Sequence, residues 1–233
     1  MKESPLLASD ESLHEYFQLG VSVTVVLFGF EEGKLKIYIQ KINKNPYAGA
    51  WSCPGKLVRA NESLEDASEN MLMEAIGNKN VYLEQLNAFG KIYRHPLGRV
   101  IDVAFYSLIN MKTDIIKNPT DRESKWVPVN EIPDMAYDHN EVLELALARL
   151  RRRLVNRPIG FKLLPKEFTM TDLQQLYEQI LGQELDKRNF RKKVTKLNIL
   201  LPKGHETTDN PGRKPRLFMF NEKRYNHYME QGF

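Results

Sequence analysis

Cysteine is almost missing from this chain: Cys53 is the only one among 233 residues. That excludes an internal disulfide framework and any zinc site built on several thiolates. Long hydrophobic runs are missing too. None approaches the roughly 20 residues that a membrane-spanning helix needs. The polar start MKESPLLASDES lacks the basic and apolar regions of a signal peptide, and no low-complexity tract interrupts the chain. A cytoplasmic protein is expected. What is present, 42% hydrophobic and 10% aromatic residues, is ordinary for a globular chain of two small domains or one large one.

The net charge of +4 is unevenly shared. From Asn156 to Phe233 there are 15 Lys and Arg against 9 Asp and Glu, a net of +6, whereas Met1 to Val155 has 19 against 21, a net of −2. This asymmetry predicts nucleic acid as the partner of the C-terminal part and something else for the N-terminal part.

VSVTVVLFGF at Val21 to Phe30 and LKIYIQ at Leu35 to Gln40, joined by Glu31-Glu32-Gly33-Lys34, read as a β-hairpin. Further strands are expected at Tyr82 to Tyr93, broken near Gly90, at Arg99 to Asn110 and around Trp126 to Val129. A helix is expected over about Leu64 to Ile76, and a second over about 140–154, with Leu143, Ala146, Leu147, Leu150 and Leu154 at helical spacing and Asp138 or Asn140 as its cap. His139, alone near that helix start, reads as structural. The Arg151-Arg152-Arg153 run reads as a solvated helix end that complements the dipole.

Residues Gly55 to Gly77, GKLVRANESLEDASENMLMEAIG, resemble a degenerate Nudix box, G-x5-E-x7-R-E-U-x-E-E-x-G-U, with U a bulky apolar residue. Counted from Glu62, the R-E-U-x-E-E core falls on Asn70, Met71, Leu72, Met73, Glu74 and Ala75, so one core carboxylate of three remains. Those three positions share a helix face and together hold hard cations that demand oxygen ligands. Glu69 is no substitute, because an offset of two residues turns a side chain about 200° around the helix. Magnesium catalysis is therefore not expected, nor is any metal or cofactor. Trp51-Ser52-Cys53-Pro54-Gly55, Glu62-Ser63-Leu64 and Gly77 resemble the remaining scaffold of the box. Cys53, beside Pro54, reads as a packing residue rather than a catalytic thiol.

Asn156-Arg157-Pro158-Ile159-Gly160 breaks the helical pattern and marks a boundary, giving domains at 1–155 and 156–233. After it come a helix from Thr169 to Gly182, capped by Thr169 or Thr171, and a basic helix KRNFRKKVTKL capped by Asp186. Short strands at Ile199 to Leu201 and Arg216 to Phe220 flank a basic Pro-Gly loop. Helix, turn, basic helix and hairpin make the winged helix-turn-helix plan. Phe190, Val194 and Leu197 would face a small core. Lys187, Arg188, Asn189, Arg191, Lys192 and Lys196 would face DNA: Arg188, Asn189 and Arg191 at or near base edges, Lys192 and Lys196 at phosphates. Arg213, Lys214 and Arg216 would carry the wing.

The degenerate box, PIGFKLLPKEFTMTDLQQLYEQILGQELDKRNFRKKV at Pro158 to Val194, and GRKPRLFMF at Gly212 to Phe220 together resemble the Nudix-related transcriptional regulators, the NrtR-like family. The resemblance implies an α+β chain, with an N-terminal Nudix-like α/β/α sandwich on a mixed sheet and a C-terminal winged helix-turn-helix. It further implies a homodimer that binds a palindromic double-stranded DNA operator. Its affinity would be set by a small-molecule effector, ADP-ribose or a free sugar, held in the old hydrolase cleft. Effector contacts are expected from Tyr47 and Trp51 by stacking, from Lys56 and Arg94 to anionic or hydroxyl groups, and from Glu62 and Glu74 to hydroxyls. With Met71 and Ala75 in place of carboxylates, an apolar cleft suited to a neutral sugar is expected. The alternative is a residual hydrolase of nucleoside diphosphate compounds that draws metal ligands from outside the box, such as Glu84 or Asp102.

Overall fold

The computed structural model describes residues 18–115, 123–156, 159–205 and 215–225. Strand β1 (Gly20–Glu31) turns through Glu32 and Gly33, both at positive φ, into β2 (Lys34–Lys41). Short β3 (Trp51–Ser52) and β4 (Gly55–Leu57) lead into helix α1 (Leu64–Ile76). Then follow β5 (Tyr82–Phe89), β6 (Val100–Ile109), β7 (Ser124–Pro128) and helix α2 (His139–Asn156). The seven strands form one mixed sheet, ordered β3-β2-β1-β6-β5, with β4 added on β1 and β7 on β2. Strands β1 and β6 run parallel, with Ser22 opposite Asp102 and Thr24 opposite Ala104. The expected break near Gly90 is the end of β5.

Alternation along β1 assigns the two faces. Val23, Val25 and Leu27 pack with Ala67, Met71, Leu72, Ala75 and Ile76 of α1. Val26 and Phe28 pack on the opposite side with Val142, Ala146, Leu150 and Leu154, a four-residue repeat along α2. Helix α1 starts at Ser63, whose hydroxyl accepts from the Asp66 N–H, and ends at Gly77, which takes the left-handed conformation at φ 72°. Met71 and Ala75 are therefore core residues, and the expectation that they make the cleft apolar is corrected: their helix face is turned onto the sheet.

Past α2, a 3₁₀ turn (Ile159–Leu163) and β8 (Phe168–Thr169) precede α3 (Met170–Leu181), α4 (Lys187–Lys196), β9 (Leu200–His205) and β10 (Arg216–Phe220). Thr169 and Asp172 form a reciprocal capping box on α3, and Asp186 caps α4 through the Asn189 N–H at 2.8 Å. The hairpin strand β10 lies between β9 and β8. Strand β8, two residues long, has no local sequence signature. Leu197 is the C-cap of α4 and 36% exposed rather than a core residue, because the helix ends before its next turn onto the core.

Helix α2 extends to Asn156, so the expected division at 155/156 falls in its last turn. One apolar cluster continues across that point: Leu35, Ile37 and Leu150 of the first part join Leu163, Leu164, Phe168, Leu173, Leu176, Phe190 and Val194 of the second. The buried Asn110 amide donates to the Leu164 carbonyl at 2.8 Å and ties the end of β6 to the same junction. A shared core predicts shared cooperativity. Leu176→Ala, at a fully buried position, should cost about 2–5 kcal/mol and lower one calorimetric transition for the whole chain. Two transitions, with only one shifted, would contradict the continuous core.

Candidate functional site

A cavity of about 440 Å³ lies where the first residues of β1 and β6 meet the β2–β3 loop, the Arg94-His95 segment and the start of α2. Its floor comes from alternation in β1. Ser22 and Thr24 point to the face that Val26 and Phe28 occupy further along, so that face begins polar and becomes apolar. Both hydroxyls donate to Oδ1 of Asp102, at 2.6 and 3.0 Å. Asp102 is 1% exposed, and its Oδ2 has no hydrogen-bond partner. Burial raises its pKa above the ordinary carboxylate value, against the Ser22 hydrogen bond and the Arg94 charge.

Arg94 is buried in the wall and committed to Asp138 by two hydrogen bonds, Nε to Oδ2 at 2.9 Å and Nη2 to Oδ1 at 2.6 Å. Burial alone would raise the Asp138 pKa, but the Arg94 hydrogen bonds and charge outweigh it and hold it low. The expected side-chain cap of α2 by Asp138 is corrected accordingly. Its carboxylate serves Arg94, while its backbone carbonyl accepts from the Val142 N–H at 3.1 Å, and Asn140 accepts from the Met135 N–H at 2.8 Å. His139 is buried, and its Nδ1 accepts from the Cys53 N–H at 3.1 Å. Burial pushes its pKa down to about 4, so it remains neutral at pH 7. Burial, then the Asp102 charge, pushes the Cys53 thiol up to about 12, which leaves no thiolate nucleophile.

The expected effector residues are placed differently from one another. Lys56 and Arg94 line the cavity. Tyr47 meets it indirectly, edge-on to Tyr137 at 4.7 Å between ring centres; His95 stacks on Tyr137 at 5.4 Å, and both His95 and Tyr137 line the cavity. Trp51 lies outside the lining, with the Lys125 ammonium 4.3 Å from its ring centre and that of Lys41 at 5.2 Å. Glu62 is also outside it, accepting from Lys56 at 2.7 Å and Asn70 at 2.9 Å; the Lys56 hydrogen bond, then that from Asn70, lowers its pKa to about 2. Glu74 is exposed on the outer side of α1. Sequence reasoning passed over Ser22, Thr24, His95 and Tyr137. Two polar residues alternating in the otherwise apolar VSVTVV were the available signal.

Helix α2 also carries polar anchors at its far end. Glu84 of β5 accepts from Arg153 at 2.6 Å, Arg149 at 3.3 Å and the Tyr106 hydroxyl at 3.0 Å, and also from Tyr82. Arg151 Nε donates to the Ile180 carbonyl at the end of α3, at 2.8 Å. Two of the three arginines expected as a solvated helix end are therefore engaged. Glu84 serves this network, while Asp102 belongs to the cleft. Among the described residues no group of three or more His, Cys, Asp or Glu side chains could hold a metal ion.

The second surface is α4. Phe190 and Val194 are buried, with Phe190 packed edge-on to Tyr177, while Lys187, Arg188, Asn189, Arg191, Lys192 and Lys196 are all exposed. The helix has six cationic side chains and no acidic one. Arg216 begins β10, exposed beside the hairpin, with its guanidinium 5.8 Å from the Phe218 ring centre. Arg213 and Lys214 lie outside the described residues. No helix among the described residues is long and apolar enough to cross a membrane.

Comparison with known proteins identifies the domains that carry these two surfaces. Residues 18–146 match the NUDIX domain, and residues 160–220 match the NrtR DNA-binding winged helix domain. The chain is 30% identical over 208 residues to the ADPR responsive transcriptional repressor NtrR of Acinetobacter baylyi, a match that covers 86% of this chain and 81% of that protein. It is 26% identical over 129 residues to an ADP-ribose pyrophosphatase of Methanocaldococcus jannaschii, covering 55% of this chain and 75% of the relative. The crystal structure of Shewanella oneidensis NrtR complexed with a 27mer DNA superposes with a TM-score of 0.74 at 26% identity, covering 88% of this chain and 95% of that one. With a NUDIX domain joined to an NrtR winged helix along a single core, the chain belongs to the NrtR-like family of Nudix-related transcriptional regulators.

Proposed function

We propose that this protein is a homodimeric transcriptional repressor whose affinity for operator DNA is set by an ADP-ribose-like metabolite bound in the 440 Å³ cleft. The division of α4 carries this reading: an apolar side locked into the core by Phe190 and Val194, and an outer side that is cationic throughout. That outer side neutralises phosphates and displaces counterions, and Arg and Asn near the helix start present base-reading groups to the major groove. Arg188, Asn189 and Arg191 take the base-edge roles, and Lys192 and Lys196 the phosphates. Wing contacts are assigned to Arg213, Lys214 and Arg216. The similarity to a repressor and to a protein crystallised on DNA supports the same assignment.

An ADP-ribose-like effector is favoured over a neutral sugar because Lys41, Lys44 and Lys56 line the cleft, with the Lys41 and Lys56 ammoniums held beside it by Glu123 at 2.9 Å and Glu62 at 2.7 Å. Sensing rather than hydrolysis follows from α1. A magnesium ion needs several oxygen ligands, whereas Met71 and Ala75 are buried under the sheet and leave Glu74 as the one carboxylate among the three core box positions. Helix α2 supplies the link between the two sites. Asp138 and His139 at its start are bound to the cleft residues Arg94 and Cys53, and Arg151 near its end is bound to α3, the helix that carries α4. A ligand that moves Arg94 acts on the start of α2 and biases the spacing of paired recognition helices.

Two outcomes are expected. On a duplex selected from a random-sequence pool by the protein itself, Arg191→Ala should weaken binding by about 1–3 kcal/mol in fluorescence anisotropy; unchanged affinity would count against α4 as the recognition helix. Addition of ADP-ribose should alter the wild-type affinity for the same duplex by about 5- to 150-fold, and chromatography should recover the nucleotide intact after incubation with magnesium. Rapid release of AMP and ribose 5-phosphate would establish the hydrolase reading instead.

A further inference from the structure

The orphan oxygen of Asp102 defines what the floor of the cleft can recognise. Oδ1 is saturated by Ser22 at 2.6 Å and Thr24 at 3.0 Å, which fixes the carboxylate plane. Oδ2 is buried and unpartnered, on a residue that lines the cavity. Arg94 Nη2 is 3.9 Å away, too far to donate, and is already committed to Asp138 at 2.6 Å. A buried acceptor left unmade costs free energy unless a ligand donor reaches it. The donor has to be neutral, since an ammonium would be set beside the Arg94 guanidinium. A hydroxyl meets that requirement.

The rest of the cavity orients the molecule that brings the hydroxyl. Lys44 suits phosphate oxygens, joined by Lys41 and Lys56 where a phosphate displaces Glu123 and Glu62 from them, and the Tyr137 and His95 rings offer the flat apolar surface that a base needs. The polar floor of Asp102, Ser22 and Thr24 is left for the sugar. The geometry points to Asp102 as the specificity-determining residue of the effector site, its Oδ2 accepting a hydroxyl of the terminal ribose of a nucleoside diphosphate ribose. This inference rests on the effector reading given above and adds the residue and the ligand group that meet. A cleft so built favours a ligand with a terminal ribose over the nucleoside diphosphate alone, since both offer the same base and phosphates.

Asp102→Asn separates the cases. The amide can keep its oxygen toward the Ser22 and Thr24 hydroxyls, which places an NH₂ where the acceptor was and turns it against a ligand hydroxyl. Isothermal titration of the full-length protein with ADP-ribose and with ADP reads the effect. Asp102→Asn should weaken ADP-ribose by about 10- to 100-fold and leave ADP within about twofold. Equal weakening of both ligands, or no weakening of ADP-ribose, would overturn the assignment. Failure of the wild-type protein to bind ADP-ribose at all would overturn the effector reading itself. Should Asp102→Asn not fold, as judged by thermal melting, Ser22→Ala carries the test. It retains the carboxylate but removes its 2.6 Å anchor, and should weaken ADP-ribose more than ADP; equal effects on the two would again refute the assignment.

Discussion

Helix α2 is packed on the sheet by Val142, Ala146, Leu150 and Leu154, all buried and spaced by four residues. That stripe constrains everything on either side of it. An 18-residue helix is about 27 Å long, so its start can stand at the cleft while its end stands at the winged helix. At the start, the Arg94–Asp138 pair and the His139–Cys53 hydrogen bond fix it against the cavity wall. At the end, Glu84 gathers Arg149 and Arg153, and Arg151 reaches the α3 carbonyl. Truncating one partner of the buried Arg94–Asp138 pair leaves the other charge uncompensated, whereas the contacts at the far end are part-buried.

The catalytic box has changed meaning along with its residues. The helix itself is intact, capped by Ser63 and Gly77 and packed through Ala67, Met71, Leu72 and Ala75. Two of the three core positions that hold carboxylates in the hydrolase motif now contribute to the core. The cleft is lined by other residues, the β1 hydroxyls and Asp102 on the floor and Arg94 and Tyr137 in the wall. Its lining brings together cationic side chains, a buried carboxylate and aromatic rings. The DNA-binding half contributes a basic helix and a hairpin, fused to the sheet through one apolar cluster rather than suspended on a linker.

Local signals made much of this legible in the sequence. The α1 span, the caps at Thr169 and Asp186, the left-handed Gly182 and the two-sided α4 all follow from spacing and residue type within a dozen positions. What escaped depends on distant pairing. Strand β8 exists only because β10 pairs with it, and the arginines at the end of α2 have partners 65 or more positions away in Glu84 and 29 away in Ile180. The cleft is mixed in this respect. Lys56 and Arg94 were accessible from the box and its surroundings, whereas Asp102 joins Ser22 only through the parallel β1–β6 register. Trp51 and Glu74 were expected in the cleft from their motif positions, but lysines cover the one and helix phase turns the other to solvent.

A double substitution at the far end of α2 isolates the proposed coupling of the cleft to the recognition helix. Arg151→Ala with Arg153→Ala removes the hydrogen bond to α3 and the main ion pair to Glu84 while leaving both ligand-binding surfaces untouched. Anisotropy titrations of the selected duplex, with and without saturating ADP-ribose, would measure the coupling. The variant should bind DNA and ADP-ribose separately with near wild-type affinity, yet lose most of the effector response. A variant that keeps the full response would contradict the coupling.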